Sequence, residues 1–140
     1  MVKYIPRQGD IVFLDFDPTL GHEQKGNRPA IVISNNVFNQ HTKMAILCPI
    51  TSNTKEFPTH YKLEDSKKVF GSVLCEHIRS VDYETRNLKF IEKASENDLL
   101  SVMTLMFACI EDWETIDNFK QKWYIYYRNP LIGRVKRYKF

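Results

Sequence analysis

Gly9-Asp10-Ile11-Val12-Phe13-Leu14-Asp15-Phe16-Asp17-Pro18 decides how the chain is read. Gln8-Gly9 opens the stretch and Asp17-Pro18 closes it, both with turn chemistry. Between them lies a run of β-branched, aromatic and aliphatic residues of strand length, predicting a strand over 10–16. Similar runs follow downstream: Pro29–Ser34, Met44–Ile50, the short His60–Leu63 and the longer Ser72–Val81. Several short strands at this spacing predict a small β-barrel. The segment 18–28 joining the first two strands is long for a hairpin and rich in polar groups, as functional loops often are.

Beyond the strands the period changes. Leu99, Val102, Met103, Met106, Phe107 and Ile110 recur at helical spacing, predicting an amphipathic helix over Glu96–Asp112. Ser95 is placed as its N-cap, with Asp98 at the capping-box position three residues on. Met103 and Met106 are read as core. Residues 113–140 differ in composition. Lys120, Lys122, Arg128, Arg134, Lys136, Arg137 and Lys139 outnumber the acids, and Trp123, Tyr124, Tyr126, Tyr127 and Tyr138 lie among them. The division expected is a domain over 1–112 and a basic, aromatic extension over 113–140. The extension is expected to dock its aromatics on the barrel or a second copy, leaving Arg134, Lys136, Arg137 and Lys139 exposed. Base stacking is the competing use.

The 140 residues suffice for one domain with a real core, and 43% are hydrophobic, as in a globular chain. The net charge of +3 is compatible with an anionic partner without requiring one. Cys48, Cys75 and Cys109 form no C-x-x-C pair, so a zinc ribbon is not expected, and Cys48 and Cys75 read as buried apolar residues. A sparse, odd cysteine count suits a reducing compartment. With no apolar signal region and no apolar run near about 18 residues, the expected location is the cytoplasm, with no membrane association.

Several motifs in order carry a resemblance. Residues 9–19, Gly21-His22-Glu23-Gln24, Gly26-Asn27-Arg28-Pro29-Ala30, Cys48-Pro49-Ile50-Thr51-Ser52 and Ser72–Asp82 together resemble the MazF/PemK family of toxins, over roughly residues 4 to 111. The resemblance implies an SH3-like barrel, mainly β with a C-terminal helix. It also implies a homodimer, an antitoxin partner supplying a short peptide segment, and metal-independent cleavage of single-stranded RNA at short motifs. No cofactor is expected. Glu76-His77 stands where Asp-Gln is common in the family, Asn27 occupies a variable position, and the tail has no counterpart in compact relatives.

Such cleavage uses the substrate's own 2′-hydroxyl as nucleophile. The protein must move protons and stabilise a crowded, anionic phosphorane. The resemblance assigns that work to Arg28 and Thr51. A guanidinium fork suits phosphate oxygens, and arginine stays protonated, so Arg28 is read as a clamp or proton donor rather than a base. Glu23 is the third catalytic candidate, as proton acceptor or as a group orienting Arg28. Gln24, Lys25, Asn27, Ser52, His77, Arg79 and Arg86 are candidate RNA contacts. His41 and His60 are read as surface residues in turns. Asp10, Asp15 and Asp17 are read as turn and barrel-mouth hydrogen-bonding groups rather than a metal cluster. Because related barrels poison DNA gyrase without cutting anything, a non-catalytic protein binding gyrase, RNA or antitoxin is the alternative.

Overall fold

A computed structural model describes residues 3–23 and 25–110. The helical end at 111–112 and the 113–140 extension lie outside the described residues, as does Gln24. The elements run β1 (Asp10–Asp15), β2 (Asn27–Val32), α1 (Asn36–Thr42), β3 (Met44–Thr51), β4 (His60–Lys62), β5 (Ser72–Leu74), β6 (Arg79–Asp82), β7 (Lys89–Lys93) and α2 (Glu96–Ile110). The strands form one antiparallel sheet in the order β4-β5-β3-β2-β1-β7, with β6 also paired to β3. The mainly β, barrel-like reading with a C-terminal helix therefore holds, with an open sheet of seven strands.

Alternation along the strands builds two cores, since successive side chains point to opposite faces. Ile11, Ile31, Ile33, Cys48 and Ile50 face one way, where Val102 and Met106 of α2 cover them. Val12, Leu14, Phe16, Ala30, Val32, Ala45 and Leu47 face the other way and meet Val81, Tyr83 and Leu88. Met106 is buried and Met103 packs against the first core, as read from the helical period. Ile110 is 64% exposed, so the apolar stripe does not stay covered to the helix end.

Four local readings change. The expected long strand 72–81 is two strands. Between Leu47 and Ile50, β3 advances three residues while its partners advance six, from Val73 of β5 to Arg79 of β6. The surplus loops out at 75–78, where the His77 amide donates to the Leu74 carbonyl (3.1 Å). The strand expected over Pro29–Ser34 instead spans Asn27–Val32 and so includes Arg28. The helix α1 and the strand β7 are additions to the elements expected. Asn35 caps α1 by accepting from the Phe38 amide (2.8 Å), and His41 sits in its last turn. Asn39 of α1 is fully buried, bonded to the Ser34 hydroxyl and the Pro6 carbonyl (2.8 Å), while its own carbonyl accepts from the Tyr83 hydroxyl (3.0 Å).

Ser95 is the N-cap expected, accepting from the Asp98 amide (3.0 Å). Asp98 does not close a capping box. Its carboxylate is fully buried and accepts from the Tyr61 hydroxyl (2.8 Å) and the Glu64 and Asp65 amides (both 3.1 Å), pinning α2 to the segment after β4. Burial first, then the hydrogen bond to Asp98, push the Tyr61 hydroxyl's pKa up. Glu92 of β7 makes a similar clasp, accepting from the amides of Lys67 (2.9 Å), Lys68 (2.6 Å) and Val69 (2.9 Å). Asp10 is buried against the Tyr4 hydroxyl, the Arg7 amide (2.9 Å) and the Lys93 ammonium (3.2 Å). Asp15 accepts from the Asp17 amide (2.9 Å), and Asp17 from the Gly26 amide (3.0 Å). The three acids thus serve separate structural bonds. Among the described residues no helix is long and apolar enough to cross a membrane.

The clasps set measurable stabilities. Asp98→Ala strands two backbone amides and should cost about 2–4 kcal/mol in denaturant unfolding. At Glu92, desolvation raises the carboxyl's pKa, but the three amide bonds outweigh it and hold the folded value below the ordinary 4.5. Its contribution is therefore full at neutral pH and lost as pH falls through and below 4.5. Glu92→Gln should flatten the acid limb of a stability-versus-pH curve, measured by urea midpoints.

Candidate active site

Strand register brings the two leading candidates together. β2 and β3 pair antiparallel, ending at Ala30 opposite Pro49. The ladder stops there; continued by two residues its register leads to Arg28 and Thr51, which by alternation lie on the face that carries Ala30 and Leu47. On its other side Arg28 is paired with Leu14 of β1. This is the end of the second core, where apolar side chains give way to solvent.

Arg28 is half-buried, and its Nε donates to the Lys25 carbonyl (2.7 Å), which fixes the root of the guanidinium. Thr51 ends β3, and its Oγ1 accepts from the Asn53 amide (3.2 Å). Thr51 leans on a glycine that cannot be replaced without movement. A Cβ on Gly71, whose φ is +142°, would fall 2.2 Å from the Thr51 carbonyl oxygen. Ser52, Lys25 and Asn27 are all exposed; Ser52 follows Thr51 in the chain, and Asn27 precedes Arg28 and lines a different cleft.

A cleft of about 300 Å³ opens beside it, lined by Phe16, Glu23, Pro49, Glu76, His77, Ile78 and Arg79. Pro49 belongs to the same face as Thr51, so the cleft adjoins the Arg28–Thr51 row. Glu23 reaches the cleft from the β1–β2 loop, where its carboxylate accepts from the Leu20 amide (3.1 Å). Arg79 projects from the start of β6 and donates from Nη1 to the Phe16 carbonyl (2.9 Å), with its guanidinium 5.8 Å from the Phe16 ring centroid. Asp82 closes the turn after β6, accepting from the Glu84 and Thr85 amides (both 3.0 Å).

Arg86 stands apart from this group. Its Nη1 donates to the Asp15 (3.2 Å) and Asp17 (2.5 Å) carbonyls, tying the loop after β6 to the exit of β1. It lines a different cleft of about 480 Å³ with Asn27, Asp15 and Lys89.

Glu76 is a member of the site that motif reading does not single out. Its carboxylate accepts from the Thr59 hydroxyl (2.7 Å), lies 2.7 Å from the Nε2 of His60, and lies 3.6 Å from the Nε2 of His77. Partial desolvation raises its pKa, but the Thr59 and His60 hydrogen bonds, with Glu76's own backbone, outweigh that and leave the carboxyl below its ordinary range. His60 is therefore not a turn residue on the surface. It begins β4, is half-buried, and its Nδ1 is buried with no hydrogen-bond partner among the described residues. His60 also walls a third cleft, of about 580 Å³, with Lys55, Phe57, Lys62 and Ser72, and its ring lies 5.1 Å from that of Phe57. The signal present in the sequence is the adjacency Glu76-His77, but its link to His60 crosses between strands.

The cysteines are poor nucleophiles. Cys48 and Cys75 are buried, and desolvation pushes Cys48's pKa up to about 12. Among the described residues no group of three or more His, Cys, Asp or Glu side chains is arranged to hold a metal ion.

Comparison with known proteins agrees with this geometry. A family model described as "PemK-like, MazF-like toxin of type II toxin-antitoxin system" matches residues 7–106. The endoribonuclease toxin MazF of Escherichia coli (strain K12) is 36% identical over 84 residues, covering 60% of this chain and 75% of the relative. A crystal structure of MazF from Deinococcus radiodurans superposes with a TM-score of 0.74 at 35% identity, covering 77% of this chain and 98% of that one. A MazE–MazF complex from the same organism gives a TM-score of 0.68 at 35% identity, covering 77% and 97%. With a matched span that takes in both strands of the Arg28–Thr51 row and the whole cleft, the chain belongs to the PemK-like, MazF-like toxin family of type II toxin–antitoxin systems.

Proposed function

We propose that this protein is an endoribonuclease toxin that cuts single-stranded RNA at short motifs without a metal ion. The observation that carries this is the cleft walled by Glu23, His77 and Arg79, beside the end of the β2–β3 ladder beyond which Arg28 and Thr51 lie. The cleft itself supplies a guanidinium (Arg79), an imidazole (His77) and a carboxylate (Glu23), a set that suits phosphodiester chemistry by 2′-hydroxyl attack, while Arg28 and Thr51 stand outside its lining.

In this reading the 2′-oxygen bonds to phosphorus as the P–O5′ bond breaks, leaving a 2′,3′-cyclic phosphate and a 5′-hydroxyl. Arg28 clamps the non-bridging oxygens and Thr51 donates a hydrogen bond to one of them. The bond from Arg28 Nε to the Lys25 carbonyl leaves its two terminal nitrogens for the phosphate. Glu23 accepts the 2′-hydroxyl proton or steers Arg28. Lys25, Asn27, Ser52, His77 and Arg79 contact the RNA strand. Gln24 shares that role in the same loop. Arg86 contributes at the neighbouring cleft, chiefly by fixing the loop that presents Glu23.

The protein acts in the cytoplasm, as a homodimer, with no cofactor. A cognate antitoxin segment neutralises it, a reading supported by this chain's similarity to the MazE–MazF complex of Deinococcus radiodurans.

Purified protein should cut a long single-stranded RNA in the presence of EDTA, at recurring short motifs, when the new ends are mapped. Arg28→Ala should lower the single-turnover rate about 10²–10³-fold, the scale for removing one donor from a transition-state oxyanion. Arg28→Lys should recover only part of that, because an ammonium lacks the planar fork. Unchanged cleavage by Arg28→Ala would remove the clamp, and loss of all cleavage on EDTA addition would remove the metal-free mechanism.

A further inference from the structure

The loop at 75–78 exists because the β3 ladder changes partners there. It delivers Glu76 and His77 to the cleft with no strand pairing of their own. His77 lines the same cleft as Pro49, which stands two residues before Thr51 on β3 and on the same face.

Glu76 is held from several sides. The Thr59 hydroxyl and His60 fix its carboxylate, and its Oε1 then meets His77 Nε2 at 3.6 Å. Nδ1 of His77 has no hydrogen-bond partner among the described residues and the ring is half-buried in the cleft wall. At 3.6 Å the carboxylate acts on the ring as a nearby charge rather than as a hydrogen-bond partner, and such a charge favours the imidazolium formed when the ring takes a proton.

We propose that His77, with the Glu76 carboxylate held beside it by Thr59 and His60, is the group that takes the proton from the substrate's 2′-hydroxyl. This rests on the endoribonuclease reading above. In the step, the 2′-oxygen bonds to phosphorus while its proton passes to His77 Nδ1. The P–O5′ bond breaks, O5′ takes a proton from a water molecule, and the imidazolium returns its proton to the hydroxide left behind. Glu23 then acts on Arg28 rather than as base. The titratable and charged groups around His77 are Glu76 in its own loop, His60 of β4 through Glu76, Arg79 of β6 and Glu23 of the β1–β2 loop. The Cys109 thiol of α2 and the Cys48 and Cys75 thiols lie within electrostatic range of Glu76.

The test is a pH–rate profile for single-turnover cleavage of single-stranded RNA in EDTA. Wild type, His77→Gln, His77→Asn, Glu76→Gln and Glu23→Gln are compared as full chains, each checked for folding by thermal unfolding. Affinity is measured separately on a 2′-deoxy analogue, which cannot react. The wild-type rate should fall on the acid side along a limb that reports a single ionisation. His77→Gln and His77→Asn should each lower the plateau about 10²-fold or more and abolish that limb, losing far less in affinity than in rate. Glu76→Gln should keep a limb but move it to lower pH, since the imidazolium loses its carboxylate. The proposal is overturned if both folded His77 variants keep the wild-type profile, or if Glu23→Gln alone removes the limb. Wild type that fails to cut RNA would overturn the endoribonuclease reading itself. Cleavage that needs Arg28 but not His77 would leave that reading standing and remove only this one.

Discussion

The fold depends on β3 being fully used. Its residues 47–49 bond to β2 along one edge, and its two ends bond to β6 and β5 along the other. Alternate side chains serve different cores, Cys48 and Ile50 under α2 and Ala45 and Leu47 on the opposite face. A strand committed on both edges and both faces has no freedom to slip, because a one-residue shift would exchange its buried sets. The β2–β3 ladder ends at Ala30 and Pro49, and Arg28 and Thr51 lie two residues beyond that last pair. Precision at the site is therefore inherited from the core, and the polar loops need only present groups to it.

Polar clasps complete the frame. Asp98, Glu92 and Asp10 each bind backbone amides; Asp98 and Glu92 join segments that the ladders leave separate, and Asp10 ties the chain before β1 to the start of that strand. They replace apolar contacts where loops cross the ends of the sheet. The barrel-like curvature can then persist in an open sheet, with α2 anchored at its N-terminus by a buried carboxylate and along its length by Val102 and Met106.

The parts of this arrangement legible in the sequence are those with a strong local period. β1, β3 and α2 each announce themselves through apolar spacing and a turn or cap, and Ser95 is read at its position. β7 does not, because Lys89-Phe90-Ile91-Glu92-Lys93 has too few apolar residues to stand out, and its pairing with β1 is what makes it a strand. In α1, seven mostly polar residues carry little helical period, although Asn35 is a good cap for them. The 72–81 segment looks continuous because its residue types stay strand-like through Cys75 to Ile78. The interruption is set by its partner's register, which a single segment does not contain. At the site, Arg28, Thr51 and Glu23 are marked by motif resemblance, and their proximity is geometry added by the fold. Glu76 stays hidden because its importance lies in reaching His60, far back along the chain on another strand.

In the turn between β5 and β6, Cys75 points into the first core, whereas Glu76 and His77 make no rung of either neighbouring ladder. A substitution at His77 gives up no ladder bond and removes no core side chain, so its cost in foldedness is small, whereas one at Glu76 also releases Thr59 and His60. Chemistry at the mouth of the cavity can be rewritten independently of the scaffold that holds it. A lineage of such barrels can exchange an amide for an imidazole at this one turn and so acquire a titrating group without refolding anything.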